Sequence, residues 1–169
     1  LSSPTLSIAD DRKLRIIHLI ASAAGPGGMV GGQMMDMLSH HDHIECDITL
    51  LQSLKTGALI EASCVAGSIL GEANTLEENA LKQYSSCLGL AFQIKDDLLD
   101  LSGNDDITGK PTGQDRDNAK QTFVEVLGEK GAERKLNDLV NEASAALDIF
   151  GGRAEKLHRL AKYSVKREK

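Results

Sequence analysis

Three carboxylates stand at positions i, i+1 and i+4 in Asp96-Asp97-Leu98-Leu99-Asp100. They lie inside a run from Cys87 to Leu101 whose apolar positions recur at helical spacing. On a helix, Asp96 and Asp100 share one face about 5–6 Å apart, a gap that one divalent cation can bridge. Gln93 falls one turn earlier on the same stripe, and Leu90, Ile94, Leu98 and Leu101 form a separate apolar stripe that can face a core. Mg²⁺ is held by one or two carboxylates together with substrate phosphates, and this pattern could supply the carboxylates. Acids on the outer stripe of an amphipathic helix are more often a solvated face. Other segments must decide between the two readings.

Three segments bear on the choice. Downstream, Gly109-Lys110-Pro111-Thr112-Gly113-Gln114-Asp115 is followed by Asp117, Asn118 and Lys120. A lysine between Gly and Pro, just past metal-binding carboxylates, could reach a phosphate that the metal also holds, although a single lysine in a turn is commonly only surface. Upstream, Lys55-Thr56-Gly57 offers an ammonium and a hydroxyl from an apolar helix, and Gly57 permits close approach of another helix. Positions 49 and 54 are Thr and Leu where a nucleotide phosphate loop needs glycine, so that motif is not expected. Farther upstream, Gly31-Gly32-Gln33-Met34-Met35-Asp36 puts small residues at a close helix crossing, with Gln33 and Asp36 one turn apart.

The elements that must position these groups are helical. Apolar spacing fits helices over 10–24, 27–39, 47–71, 75–102, 120–127, 130–149 and 153–167. Start signals include Ser7 and Asp10, and Thr75 with Glu78 in a capping-box pattern. Stops fall at Gly25-Pro26-Gly27, Gly71, Gly103, Gly128 and Gly151-Gly152. The long irregular stretch from Gly103 to Asn118 directly follows the acidic motif, and loops of that length are often functional. With 3% aromatics and no Trp, the core must rest on Leu, Ile, Val and Ala. A single all-α domain over residues 1–169, a helical bundle with short connections, is expected.

Composition excludes several classes. A net charge of −6 argues against a nucleic-acid partner held by phosphate electrostatics. The basic tail from Lys162 to Lys169 reads as a helix C-terminus rather than a binding patch. Cys46, Cys64 and Cys87 are odd in number and lack CxxC spacing, which fits a reducing cytoplasm and not a disulfide framework or zinc ribbon. No apolar run reaches the ~18 residues of a membrane span, because His18 and Glu61 interrupt the best candidates. His40, His41, Asp42 and His43, near Glu45 and Cys46, are read as a solvated turn, since histidines so close together rarely build a closed tetrahedral metal site.

Taken in order, GGQxxD, KTGxLI, FQxxDDxLD and GKPxGxD with a lysine soon after resemble the trans-isoprenyl diphosphate synthases, in particular the bacterial farnesyl or geranylgeranyl type. The resemblance runs from about Ile8 to the end and corresponds to the C-terminal half to two-thirds of such an enzyme. It implies an all-α isoprenoid-synthase bundle around a central cavity, with the N-terminal helices missing. Two aspartate-rich motifs would face each other across the cavity mouth, where three Mg²⁺ ions bridge carboxylates to the diphosphate of an allylic substrate. Isopentenyl diphosphate would then attack in a 1′-4 head-to-tail condensation. By motif, Asp96 would be the principal metal ligand, with Asp97 and Asp100 direct or water-mediated ligands. Lys55, Lys110 and Lys120 would contact the allylic diphosphate. Thr56, Gln93 and the Lys55 carbonyl would point oxygens at the developing cation, with Phe92 and Gln33 lining the cavity. The resemblance further implies a homodimer when complete.

The first aspartate-rich motif is absent. Asp10-Asp11 lies too close to the GGQ helix and lacks paired arginines, so it reads as acids complementing a helix dipole. Asp105-Asp106 falls in the loop after the second motif. The chain opens on Leu1, and its first residues look like a connection, so it is expected to be a piece with an upstream portion missing, inactive alone. The alternative is a non-catalytic partner subunit of a synthase, against which the retained Lys55, Asp96, Asp100 and Lys110 argue. A terpene cyclase or squalene-type synthase would not need the GKPxGxD loop or the KTG pair.

Overall fold

A computed structural model describes residues 7–42, 46–101 and 122–167. These form helices α1 (Asp10–Ala24), α2 (Met29–Asp42), α3 (Ile48–Gln52), α4 (Ala58–Leu70), α5 (Thr75–Leu101), α6 (Phe123–Leu127), α7 (Glu129–Ala146) and α8 (Glu155–Lys166). A π-turn, Ser53–Gly57, joins α3 to α4, and a 3₁₀ segment, Asp148–Ala154, joins α7 to α8. No strand occurs among the described residues.

The expected helices are present, with three differences. The segment 47–71 is not one α-helix, because the π-turn interrupts it at Lys55-Thr56. The helix expected to reach 149 ends at Ala146, and a 3₁₀ turn carries the chain round the positive-φ Gly151. The capping box of α5 lies one residue earlier than Thr75/Glu78. Asn74 Oδ1 accepts from the Leu76 and Glu77 amides, and the Asn74 amide donates to Glu77 Oε2. Asn is a stronger N-cap than Thr, and Glu77 is then its third-position partner.

Helix α5, 27 residues long and so about 40 Å, is the axis. Tyr84, Leu88, Ala91 and Ile94 on its inner stripe are buried against Leu136, Leu139 and Ala143 of α7 and Ala161 of α8. A smaller cluster, Ile16 with Val65 and Ile69, docks α1 on α4. The core is aliphatic as composition required, with Tyr84 and Phe123 as its buried aromatic rings. On the opposite side, α1 and α2 leave Leu14, Ile17, Val30, Met34 and Met37 exposed.

Close backbone approach sets the position of the π-turn. A Cβ on Gly32 of α2 would lie 2.7 Å from the Lys55 Cα and closer still to the Lys55 nitrogen, and one on Gly89 of α5 would lie 3.0 Å from the Gly57 Cα. The turn is therefore held between two helices that meet it at glycines, so Lys55 and Thr56 sit where α2 and α5 converge.

Candidate active site

The π-turn delivers two polar side chains to different partners. Lys55 Nζ donates to Asp36 Oδ2 at 2.7 Å, and both side chains are largely sheltered. Pairing with a carboxylate suits an ammonium that has left bulk water. The Thr56 hydroxyl donates to Gln93 Oε1 at 3.4 Å. Inserting one extra residue into a helical turn, as a π-turn does, re-aims the side chains at that point and is frequent at functional sites.

From Gln93 the polar chain continues inward. Gln93 Nε2 donates to Asp97 Oδ1 at 3.0 Å, and the backbone amide of Phe123 donates to Asp97 Oδ2 at 2.8 Å. Asp97 is 5% exposed. It continues the stripe of Leu88, Ala91 and Ile94, three residues beyond Ile94, so a carboxylate ends the apolar face that packs into the core. The expected core stripe of Leu90, Leu98 and Leu101 is only partly buried, one helical position off. Gln93 lies with Asp97, four residues on, rather than serving the Asp96 face.

Asp96 and Asp100 lie on the outer side of α5, both partly exposed. Asp96 Oδ1 accepts from Arg167 at 2.5 Å, with its side chain 42% exposed. The same guanidinium donates to the Phe92 carbonyl at 2.9 Å and stacks 3.9 Å from the Phe92 ring centroid. Arg167 was not marked by any sequence pattern beyond the basic tail. That tail does end a helix, as expected, but its arginine reaches back to the acidic motif.

The outer dyad suits a hard divalent cation. Its donors are carboxylate oxygens on one helix face, and Asp96 already attracts a cationic group in Arg167. Among the described residues, no three His, Cys, Asp or Glu side chains converge as a metal cluster. The Asp97 carboxylate turns inward to Gln93 and the Phe123 amide, whereas Asp96 and Asp100 lie on the outer side of α5. Gln33 is exposed on α2, next to the Gly32 contact, and Phe92 is half-buried under Arg167. Lys110, Lys120 and the Gly103–Asn118 loop lie outside the described residues, as does the turn at 43–45.

The Cys64 and Cys87 thiols are not primed as nucleophiles. Burial pushes the Cys64 and Cys87 thiols up, and Glu142, 3.7 Å from the Cys87 sulfur, adds to the shift at Cys87.

The described residues thus form an all-α bundle in which a DDxxD helix meets a Lys-Thr turn through a glutamine. The family profile described as polyprenyl synthetase matches residues 3–150. The chain belongs to the polyprenyl synthetase family. It is 37% identical over 158 residues to a farnesyl diphosphate synthase of Micrococcus luteus, covering 93% of this chain and 54% of that one. A mitochondrial geranylgeranyl pyrophosphate synthase of Arabidopsis thaliana is 33% identical over 175 residues, covering 99% of this chain and 52% of its own length. The crystal structure of an FPP/GFPP synthase from Zymomonas mobilis superposes with a TM-score of 0.81 at 37% identity, over 93% of this chain and 52% of that one. The chain thus spans about half the length of the curated relatives it matches. No helix among the described residues is long and apolar enough to cross a membrane.

Proposed function

We propose that this chain is the C-terminal part of a Mg²⁺-dependent prenyltransferase that condenses an allylic diphosphate with isopentenyl diphosphate to make farnesyl or geranylgeranyl diphosphate. The observation that carries the reading is the Thr56–Gln93 contact, 3.4 Å, which brings the Lys-Thr turn against the helix bearing the acidic motif. In this reading the allylic C–O bond breaks and diphosphate leaves with the electron pair. The isopentenyl double bond then attacks the allylic C1, and a proton lost from the isopentenyl unit passes to the diphosphate.

Asp96 and Asp100 would hold Mg²⁺, whose chemistry is to neutralise charge on the departing diphosphate. Lys55, with Lys110 and Lys120 of the adjoining loop, would bind the same group electrostatically, and this binding counts most as charge develops on it. The Thr56 and Gln93 oxygens would face the allylic cation, while apolar helix walls exclude water from it. Asp97, by contrast, would act inside the helix bundle. An upstream portion with the opposing aspartate-rich motif would complete the metal set and cover the exposed apolar face of α1 and α2. The complete protein would act in the cytoplasm as a homodimer.

A condensation assay with dimethylallyl, geranyl and isopentenyl diphosphates tests the reading. Residues 1–169 alone are expected to be inactive. Joined to an upstream segment bearing a DDxxD-type motif, they are expected to yield 15- or 20-carbon products in Mg²⁺, and Asp96→Ala to abolish them. Turnover by the chain alone sinks the prediction of incompleteness. An active joined protein indifferent to Asp96→Ala favours a non-catalytic role for this part.

A further inference from the structure

We propose that Asp97 is a positioning residue that fixes the polarity of the Thr56–Gln93 pair, presenting carbonyl and hydroxyl oxygens rather than an amide N–H₂. The proposal rests on the reading that this pair faces an allylic cation.

The argument is one of donors and acceptors. A glutamine amide has a donor end and an acceptor end, and the ring of neighbours decides which points where. An ionised carboxylate only accepts. Asp97 takes the backbone N–H of Phe123 on one oxygen at 2.8 Å, and a backbone donor cannot be turned round. Its other oxygen, 3.0 Å from Gln93 Nε2, demands the donor end of the glutamine. Gln93 Oε1 must then face Thr56, whose hydroxyl proton it receives at 3.4 Å. With that proton committed to Gln93, the lone pairs left on Thr56 and Gln93, both partly exposed, are the acceptor ends the pair offers to a ligand. The wall is thus a pair of negative dipole ends, which suits a cation. Burial of Asp97 at 5% exposure strengthens the constraint, because water cannot substitute for either donor.

Asp97→Asn inverts the wall while changing almost no volume. The substituted side chain must keep its carbonyl on the Phe123 amide, so its N–H₂ faces Gln93. Gln93 turns over to accept, and its own N–H₂ faces Thr56 and the site. The test compares two allylic diphosphate analogues by calorimetry in Mg²⁺ on the joined protein that carries the upstream aspartate-rich segment, one with a protonated amine replacing C3 and one with saturated carbon there. The joined protein is expected to prefer the amine analogue. In Asp97→Asn that preference falls about tenfold or more, with the carbon analogue bound as before. A merely structural Asp97 would weaken both analogues alike and leave their ratio unchanged, which overturns the proposal. A metal-ligand Asp97 would instead show as weakened Mn²⁺ binding with the ratio intact, which also overturns it. If the unsubstituted joined protein turns over its substrates yet shows no preference for the amine analogue, the proposal is overturned while the underlying reading stands. If it neither binds the analogues nor turns over, the reading fails and takes the proposal with it.

Should Asp97→Asn not fold, the unsubstituted chain still answers by NMR. The Gln93 side-chain N–H₂ signals, assigned by their loss in Gln93→Met, are expected to exchange slowly with solvent because a buried carboxylate holds them. Rapid exchange overturns the proposal.

Discussion

The guanidinium of Arg167, just past the end of α8, closes on the Asp96 carboxylate at 2.5 Å, 71 residues away in sequence. One side chain thereby ties the end of the chain to the acidic motif, and it also covers the Phe92 ring and carbonyl. The Arg167 side chain is 10% exposed, and its Nε has no hydrogen-bond partner among the described residues.

Arg167 and a divalent cation compete for Asp96. A charge-assisted hydrogen bond contributes about 1.5–3 kcal/mol, and the partial exposure of Asp96 reduces that through solvent screening. Arg167→Gln, which removes the charge together with the guanidinium that stacks on Phe92, is expected to tighten Mn²⁺ binding by roughly three- to tenfold. Titration followed by Mn²⁺ electron paramagnetic resonance checks it. Unchanged or weaker binding would show that Asp96 does not take the metal.

Gly32 is required by the backbone of the π-turn. A methyl group there would meet the Lys55 Cα at 2.7 Å and the Lys55 nitrogen closer still, atoms that cannot swing aside. Gly32→Ala is therefore expected to cost about 2–3 kcal/mol in urea denaturation, as overpacking does. Gly67 in α4 has open space where its Cβ would go. Gly67→Ala is expected to stabilise by about 0.5–1 kcal/mol through helix propensity. Equal responses at the two sites would rule out close packing as the reason for Gly32.

Tyr84 gives the fold an alkaline limit. Its hydroxyl donates to the Leu157 carbonyl at 3.0 Å, and burial, aided by the neighbouring Cys64, pushes its pKa up to about 12. An unfolded tyrosine ionises near 10. Below pH ~10 both states keep the proton and the contribution is intact. From there to pH ~12 the unfolded chain ionises first, and about 2–3 kcal/mol of stability is lost. Denaturation at several alkaline pH values checks this against Tyr84→Phe, which has no hydroxyl to ionise. If both proteins lose stability with the same slope, Tyr84 is not the cause.

Much of this was legible in the chain. Apolar periodicity located the long helix carrying Asp96, Asp97 and Asp100, although of the stripe read from it only Ile94 is buried, and Leu90, Leu98 and Leu101 lie one position off the buried face. Glycines marked helix ends, and the order of four short motifs pointed to the family. The capping box was legible only to within one residue, because Asn74 and Thr75 are both competent N-caps and the choice lay with the incoming turn.

The sequence by itself determined an all-α bundle, its helices and the residue types gathered for diphosphate and metal chemistry, since these follow from local spacing and side-chain character. Only the tertiary structure decided which way each carboxylate of the DDLLD stretch faces. Asp96 and Asp97 are adjacent, and helical geometry turns neighbours about 100° apart. Which of them enters the core depended on where α6 and α8 bring the Phe123 amide and Arg167, contacts 26 and 71 residues away in sequence.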